Sequence, residues 1–260
     1  MLIALAVFAL TALLVYGVSF VSYLPRYSIG PIVVEGEQEV PEDLIRHYAE
    51  TVLNDGSYHI LSRKNIFLYP RAAIEKGLVE QIPRIKSAHA SRSSLLSTTL
   101  DIKVEEREPY ALWCRETMEC FLMDESGLIF AETASSTPQG RATQYVFEGG
   151  MASAGPIGQK FIPANFAGLL SLLKLLGQSG FEPVGAGIEN QQDVSIPLRK
   201  GFLLKISFGK DGNTLVKNLQ LILSSDALRG KENSVEYVDL RFGDRVYYKL
   251  KGESEQQEPR

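Results

Sequence analysis

Residues suited to metal or phosphate binding are scattered in this sequence. The three histidines, His47, His59 and His89, form no i,i+4 pair and have no carboxylate at the spacing of a metal site. We therefore interpret them as surface or helix-face residues. The glycines at 149–150 and 185–187 match neither GxxxxGK(S/T) nor GxGxxG, the spacings that hold phosphates, and we interpret them as loop glycines.

Three neighbouring carboxylates have the chemistry of a general acid–base group. Glu105, Glu106 and Glu108 lie where a strand is predicted to leave one domain for the next, so a solvated or linker-bracing role is favoured. The sequence contains no GxSxG motif, and neither of its cysteines has a recognisable histidine partner motif. We predict no catalytic residue, no metal and no cofactor, and hence a protein that is not an enzyme.

The charge of the chain does not favour a nucleic-acid partner. With 27 Lys and Arg against 31 Asp and Glu, the net charge is −4, and the two signs are interspersed. A nucleic-acid-binding domain usually carries a basic face. We therefore predict that the chain binds no nucleic acid.

Residues 1–25 are predicted to form a transmembrane helix. No charged side chain lies between Met1 and Pro25, and about 20 apolar residues suffice to cross a bilayer. Tyr16 and Tyr23 lie toward the far end, where aromatic residues prefer the membrane interface. The alternative is a secretory signal peptide, but its apolar region is only about 7–15 residues long and follows a basic segment. The sequence favours an uncleaved anchor.

The orientation of this anchor is predicted from the length of the chain that follows it. Arg26 argues weakly for the opposite orientation under the positive-inside rule, but long domains translocate largely regardless of charge. We expect a single-pass protein of the cell membrane with a cytoplasmic N-terminus and extracytoplasmic domains.

The two cysteines are predicted to face each other across a hairpin. Strands over 111–114 and 120–123 place Cys114 opposite Cys120, and an oxidising compartment outside the cytoplasm permits a disulfide. The alternative is a pair of buried thiols on adjacent strands.

Residues 27–106 have a βααββ pattern. Leu100, Ile102 and Val104 alternate with charged residues, as in a half-buried strand. Two helices on one face of a three-stranded sheet would form a small α+β module. Strands are predicted over 32–34, 85–92 and 100–104, and helices over 41–53 and 70–81.

Residues 107–250 are predicted to form a mostly antiparallel β-domain with two helices. The first helix covers 165–176 and is closed by Gly177, and Asn213 caps the second. Residues 133–144 are predicted to be a loop, and 251–260 a disordered tail. Strands are predicted over 111–114, 120–123, 128–130, 184–189, 193–198, 202–208, 235–242 and 245–250, the last two joined by a turn at 243–244.

Three groups of residues follow one another in an order that points to a known family. Across the domain junction these are Glu106, Arg107, Pro109, Ala111, Trp113, Asp124 and Gly127. A Phe-x-Pro entry with a leucine-rich helix follows over 161–176, and a strand over 237–242 lies near the end. This ordered set resembles the FtsQ/DivIB family of cell-division proteins, in which a membrane helix precedes a POTRA domain and a β-domain, and 237–242 resembles the family's penultimate strand.

The resemblance implies a divisome scaffold that recruits and bridges FtsB-like and FtsL-like membrane coiled-coil proteins at the division septum. The sequence leaves two other functions as alternatives. A POTRA-bearing chaperone or assembly factor is disfavoured because the anchor is a helix and no barrel of alternating strands follows. A membrane-anchored cell-wall hydrolase is disfavoured because no catalytic constellation is found.

The last strand is the predicted partner-binding site. Its residues are Arg245, Val246, Tyr247, Tyr248, Lys249 and Leu250. Alternation predicts that Val246, Tyr248 and Leu250 pack on the core while the other three face outward. A terminal strand at a sheet edge can accept a strand from a partner. The alternative is that Arg245 and Lys249 protect this edge from any pairing.

Overall fold

A computed structural model describes residues 1–54, 56–57, 59–115, 119–133, 145–151, 155–243 and 245–252. It is a mixed α+β structure that divides into two compact units, Met1–Arg107 and Glu108–Arg260. The division lies one residue from the junction predicted at 106/107. Apart from Thr133, the loop predicted over 133–144 lies outside the described residues. So do Asp244 of the predicted turn and the tail beyond Gly252.

The first unit begins with a single long apolar helix, α1, Leu2–Ser22. Within the described chain it is the one helix long and apolar enough to cross a membrane, over Ile3–Ser22. A short 3₁₀ turn, Pro25–Tyr27, follows it. Helix α1 ends at Ser22, whereas the helix was predicted to run to residue 25. Pro25, which cannot continue a helix because it lacks an N–H, instead begins the 3₁₀ turn.

The rest of the first unit has the element order predicted from periodicity. Its three strands form a sheet in the order β1-β3-β2, with β1 parallel and β2 antiparallel to β3. Ile45, Ala49 and Leu53 recur every four residues and are buried with the sheet, whereas the neighbouring Leu44 is exposed. The elements are β1 (Ile32–Glu35), α2 (Glu42–Leu53), α3 (Arg71–Gln81), β2 (Ile85–Ser91) and β3 (Leu100–Glu106).

The second unit is built on one nine-stranded sheet, in the order β12-β11-β10-β9-β8-β7-β4-β5-β6. Its strands are β4 (Ala111–Cys114), β5 (Cys120–Met123), β6 (Ile129–Glu132), β7 (Tyr145–Gly149), β8 (Gly185–Ile188), β9 (Asp193–Pro197), β10 (Leu203–Ser207), β11 (Val235–Asp239) and β12 (Tyr247–Leu250). Its helices are α4 (Phe166–Gln178) and α5 (Gly212–Ser224).

Most neighbouring strands of this sheet are antiparallel, but three pairs are parallel. Helix α4 connects β7 to its parallel neighbour β8, and α5 connects β10 to its parallel neighbour β11. Parallel neighbours need a long crossover, which these two helices supply. The third parallel pair, β4 and β7, forms because β7 returns beside β4 after the β4-β5-β6 meander.

The core of the second unit joins both helices to the sheet. Phe147 is fully buried, with its ring centroid 5.3 Å from that of Phe161 and 5.6 Å from that of Phe166. Leu173 of α4 and Leu219 of α5 belong to the same buried cluster. The aromatic contacts and leucine packing hold the helices against the strands that lead to the sheet edge.

Several predicted details of the second unit were wrong. Strand β7 was not predicted, although Phe147 lies at the centre of the core. Helix α4 continues through Gly177 to Gln178. The strand predicted over 184–189 is confirmed as β8, so the interpretation of Gly185 as a loop glycine was wrong. Glycine is needed there because a Cβ would overlap the backbone oxygen of Val146 on β7. The cap of α5 is Asp211, not Asn213: Asp211 Oδ2 accepts a hydrogen bond from the backbone N–H of Thr214, the third residue of the helix, at 2.8 Å.

Candidate interaction edge of the second unit

The structure keeps the three histidines apart. His47 lies on α2 and His89 on β2, where it is close to Arg71 and Glu75. The backbone oxygen of His59 accepts a hydrogen bond from the Tyr23 hydroxyl at 2.6 Å. Within the described ranges, no group of three or more His, Cys, Asp or Glu side chains is arranged to hold a metal ion.

Glu106 holds a segment of the first unit in place. Its Oε1 accepts hydrogen bonds from the backbone N–H groups of Gln38, Glu39 and Val40 at 2.7, 2.9 and 2.9 Å. Its Oε2 accepts one from Arg84 Nε at 3.1 Å. Burial alone would raise the pKa of Glu106, but these donors stabilise the carboxylate and hold its pKa below the ordinary value. The carboxylate braces the chain that leads into α2.

A disulfide joins Cys114 of β4 to Cys120 of β5. The two residues face each other in the antiparallel register of this hairpin, with Cα atoms 4.1 Å apart. Three of the residues that connect the strands, 116–118, lie outside the described part of the chain.

The predicted docking residues lie at one edge of the nine-stranded sheet. Strand β12 pairs antiparallel with β11 on its inner side, and no described strand lies on its outer side. Alternate backbone groups of an antiparallel strand point away from its partner, so an edge strand presents N–H and C=O groups outward. Strand β12 begins at Tyr247, so Arg245 and Val246 precede it.

The opposite edge of the sheet differs. There, β6 is partly covered by its own chain: Ile129 N–H donates to Gln159 O at 3.0 Å, and Gly158 N–H donates to Ile129 O at 2.7 Å. Ile129 and Phe130 are buried. Covering an edge with a loop is one way in which proteins prevent it from pairing with another chain. The β12 edge is therefore the better candidate for strand addition.

The prediction that Tyr248 packs on the core was wrong. Val246 and Leu250 are half-buried against the core, whereas Tyr248 is 38% exposed, about as much as Tyr247 at 36%. An edge strand has a neighbour on one side only, so a large side chain keeps its open side in water. Lys249 does not simply face outward, because its Nζ lies 3.1 Å from Glu236 Oε1 on β11.

Three exposed aromatic side chains, Phe242, Tyr247 and Tyr248, therefore mark this edge, and we name them the aromatic edge. The rings of Phe242 and Tyr247 meet edge to face, with centroids 5.2 Å apart and an interplanar angle of 83°. Phe242 is 56% exposed. Exposed aromatic rings held in fixed positions are typical anchors of protein interfaces.

An arginine network holds the turn that carries Phe242. Arg241 donates through Nε and Nη2 to the two oxygens of Asp239 at 3.0 and 2.7 Å, and through Nη1 to Asp193 Oδ2 at 3.1 Å. The bonds to Asp239, and more weakly to Asp193, raise the pKa of Arg241. Lys210 Nζ donates to the backbone oxygens of Leu240 and Arg241. These hydrogen bonds hold the backbone next to Phe242, one of the three residues of the aromatic edge, in a defined position.

The sequence prediction did not include Phe242 or Arg241 among the site residues. Both fell inside a strand predicted over 235–242, whereas β11 ends at Asp239. One signal was present in the sequence: an exposed-looking Arg-Phe pair directly before Gly243, at a turn. The hydrogen bond from Arg241 to Asp193 joins residues that are 48 positions apart in the chain, so the sequence pattern does not predict it.

The fold and the site define a class of protein. It is a mixed α+β chain with an N-terminal helix apolar enough to cross a membrane and a strand-rich unit. At one edge of its sheet, where no described strand lies beyond β12, three aromatic side chains are exposed. No family model matches the chain, and no curated protein matches it.

Proposed function

We propose that this protein is a membrane-anchored scaffold of the FtsQ/DivIB type, which recruits and bridges cell-division proteins at the septum. In this proposal α1 is the anchor, the βααββ part of the first unit is a POTRA domain, and the second unit is the partner-binding β-domain. Its partners are membrane coiled-coil proteins like FtsB and FtsL.

The aromatic edge is the observation that carries the proposal. A partner segment added beside β12 would gain main-chain hydrogen bonds, and Phe242 and Tyr247 would give it selectivity. The element order β-α-α-β-β of the first unit agrees with what a POTRA domain requires. In this reading the chain is not an enzyme, and that remains a prediction.

Two of the residues that carry the family resemblance have clear roles in folding. Asp124 Oδ1 accepts hydrogen bonds from the N–H groups of Ser126 and Leu128 at 2.8 and 3.0 Å, which fixes the turn before β6. Trp113 Nε1 donates to Gly149 O at 2.9 Å and so ties β4 to the end of β7. These two motif residues therefore act in the folding of the second unit.

A double variant, Phe242→Ser with Tyr247→Ser, tests the aromatic edge. Both side chains are exposed, so the fold should be unchanged. Aromatic interface anchors contribute about 2 kcal/mol or more each, so binding should weaken by about 30-fold in Kd for one anchor and by up to about 900-fold for both if the two contributions add. Binding is measured with the full chain and co-expressed FtsB-like and FtsL-like proteins of the source cell.

Leu221→Ser is the matched control, since Leu221 is an equally exposed apolar residue on α5 of the same unit. It should bind as the parent does. Equal binding by the double variant would move the docking site away from β12. If the parent binds neither protein and cells depleted of it divide normally, the scaffold function itself is wrong.

The membrane topology in this proposal has its own test. With the N-terminus in the cytoplasm, externally added protease should digest both units in spheroplasts, and mass spectrometry of the mature protein should find α1 still attached. A free N-terminus near Tyr27 would instead identify α1 as a cleaved signal peptide.

A further inference from the structure

Besides the aromatic edge of the second unit, an exposed apolar surface lies in the first unit, next to the C-terminal end of α1. Two loops form it: 59–69, which leads from α2 to α3, and 92–99, which connects β2 to β3. We name them the collar loops. Their exposed apolar side chains are Ile60, Leu61, Phe67, Leu68, Leu95 and Leu96.

The first collar loop is hydrogen-bonded to the last turn of α1. Ser22 Oγ accepts from Ser62 N–H at 3.0 Å, and Ser22 O accepts from Asn65 Nδ2 at 3.0 Å. Tyr23 OH donates to His59 O at 2.6 Å. Ile60 and Leu61, both exposed, lie in sequence between residues that are tied directly to the end of α1.

The buried residues of α1 show where along the helix the first collar loop makes contact. Among the described side chains of α1, Ser19 and Ser22 alone are buried. They lie three residues apart, so one face of the last turn is covered. The candidate span, Ile3–Ser22, has 20 residues. At about 1.5 Å per residue, such a helix just crosses a hydrocarbon core of about 30 Å, so its last turn lies at the boundary with the headgroups.

The second collar loop is joined to the first. The Arg92 guanidinium lies 5.5 Å from the ring centroid of Phe67, and its Nη1 donates to Leu95 O at 2.6 Å. The backbone N–H of Gly30 donates to Thr98 O at 2.9 Å. Leu95, the most exposed of the collar side chains at 77%, is therefore held near Phe67 and near the chain that leaves α1.

The charge of this region is opposite to that of the whole chain. The collar loops and the linker 22–31 contain Arg26, Arg63, Lys64 and Arg92, whereas the whole chain carries a net charge of −4. The one acidic residue between α2 and α3 is Asp55, which precedes the first collar loop in the sequence. Exposed apolar side chains among basic residues form the pattern with which proteins bind the surface of a bilayer that contains anionic lipids.

We propose that the collar loops dock on the membrane surface, with their apolar side chains in the headgroup region and their basic residues against anionic phospholipid headgroups. The proposal rests on α1 as the membrane anchor and does not depend on the scaffold function. The loops would then fix the first unit on the bilayer, which a single flexible linker after α1 could not do.

Single cysteines that carry an environment-sensitive fluorophore test this in the full chain, reconstituted into vesicles of phosphatidylcholine and phosphatidylglycerol. Ile60→Cys and Leu96→Cys should show blue-shifted emission and be quenched by lipids spin-labelled near the headgroup. Leu44→Cys is the matched control: Leu44 is an exposed leucine near the start of α2, whose other end leads into the collar. Its emission should remain that of a fluorophore in water.

Leu13→Cys, in the middle of α1, reports on the anchor itself and should be quenched by lipids labelled deep in their chains. If Leu13→Cys is quenched while Ile60→Cys and Leu96→Cys resemble Leu44→Cys, the anchor stands and the docking proposal fails. The apolar collar would then be free for a protein. If Leu13→Cys is not quenched either, α1 does not span the bilayer and the proposal falls with it.

The charge component is tested by Lys64→Glu in the Leu96→Cys background. Quenching of Leu96→Cys should fall in vesicles with phosphatidylglycerol and change little in phosphatidylcholine alone, because repulsion needs the anionic headgroup. Unchanged quenching in both lipids would show that anionic headgroups are not recognised and would overturn the proposal. The parent chain without an added cysteine measures background labelling.

Discussion

Replacing Glu106 with Gln removes the negative charge that three backbone N–H groups and one guanidinium share. The donors are Gln38, Glu39, Val40 and Arg84, and the Glu106 side chain is only 8% exposed. Gln keeps one oxygen that can accept, but it brings an NH₂ group toward the donors. The segment that leads into α2 therefore loses much of its support.

The size of this effect follows from the kind of bond that is lost. Hydrogen bonds to a charged group contribute about 1.5–3 kcal/mol each, against about 0.5–1.5 kcal/mol for neutral ones. Because the amide retains part of the contact, we expect a net loss of about 2–3 kcal/mol in the free energy of local opening. This corresponds to roughly 30- to 150-fold faster amide exchange at Gln38, Glu39 and Val40.

Hydrogen–deuterium exchange with mass spectrometry, on the full chain in a membrane mimic, measures this directly. The folded state holds the pKa of Glu106 below its ordinary value of 4.5, so the carboxylate stabilises the fold fully above the unfolded-state pKa. That stabilisation is lost as the pH falls through the folded-state pKa. The difference between parent and Glu106→Gln should therefore be large at pH 7 and disappear in acid.

Glu105→Gln is the matched control. Glu105 is the preceding residue, but it is exposed and pairs with Lys86 at the surface. Surface ion pairs contribute little, so exchange at 38–40 should not change. If Glu106→Gln leaves the protection of these amides as it is in the parent at pH 7, the carboxylate is not their acceptor and our account of this segment is wrong.

Three further predictions concern the second unit. Phe147→Ala should lower the free energy of unfolding by about 3–5 kcal/mol through the cavity it leaves, as measured by urea unfolding with the chain's one tryptophan as reporter. Gly185→Ala should lower it by about 1–3 kcal/mol, because the new Cβ would overlap Val146 O and push β7 away from β8. Cys114 and Cys120 should not react with a thiol reagent under denaturing, non-reducing conditions when the protein comes from its own compartment.

Each of these has a control or a contradicting outcome. Gly168→Ala, in α4 with open space around it, should raise stability by about 0.5–1 kcal/mol, in contrast to Gly185→Ala. A loss below about 1 kcal/mol for Phe147→Ala would show that β7 does not lie in the core. Two reactive thiols would show that the hairpin carries free cysteines.

Elements set by local patterns were predictable from the sequence. The uncharged run before Pro25 determined α1, since a continuous apolar stretch ended by proline is a local property of the chain. The alternation of Leu100, Ile102 and Val104 determined the inner face of β3, which buries all three. The hairpin that places Cys114 opposite Cys120 follows in the same way from two short strands and the distance between them.

What the sequence left open depends on contacts between distant parts of the chain. The crossover helices α4 and α5 determine two of the parallel pairs. Strand β7 was not predicted because its apolar residues are recognisable as a core strand only once β4 and β8 lie on either side of it. The exposure of Tyr248 goes with the position of β12 at the edge of the sheet, where no described strand lies on its outer side. Glu106 and Arg241 likewise find partners dozens of residues away. The sequence by itself determined the long apolar helix α1 and the inner face of β3, because both patterns are local. Only the tertiary structure shows that β12 lies at the edge of the described sheet and that its aromatic side chains are exposed. The reason is that the position of a strand in a sheet depends on which distant strands pair with it.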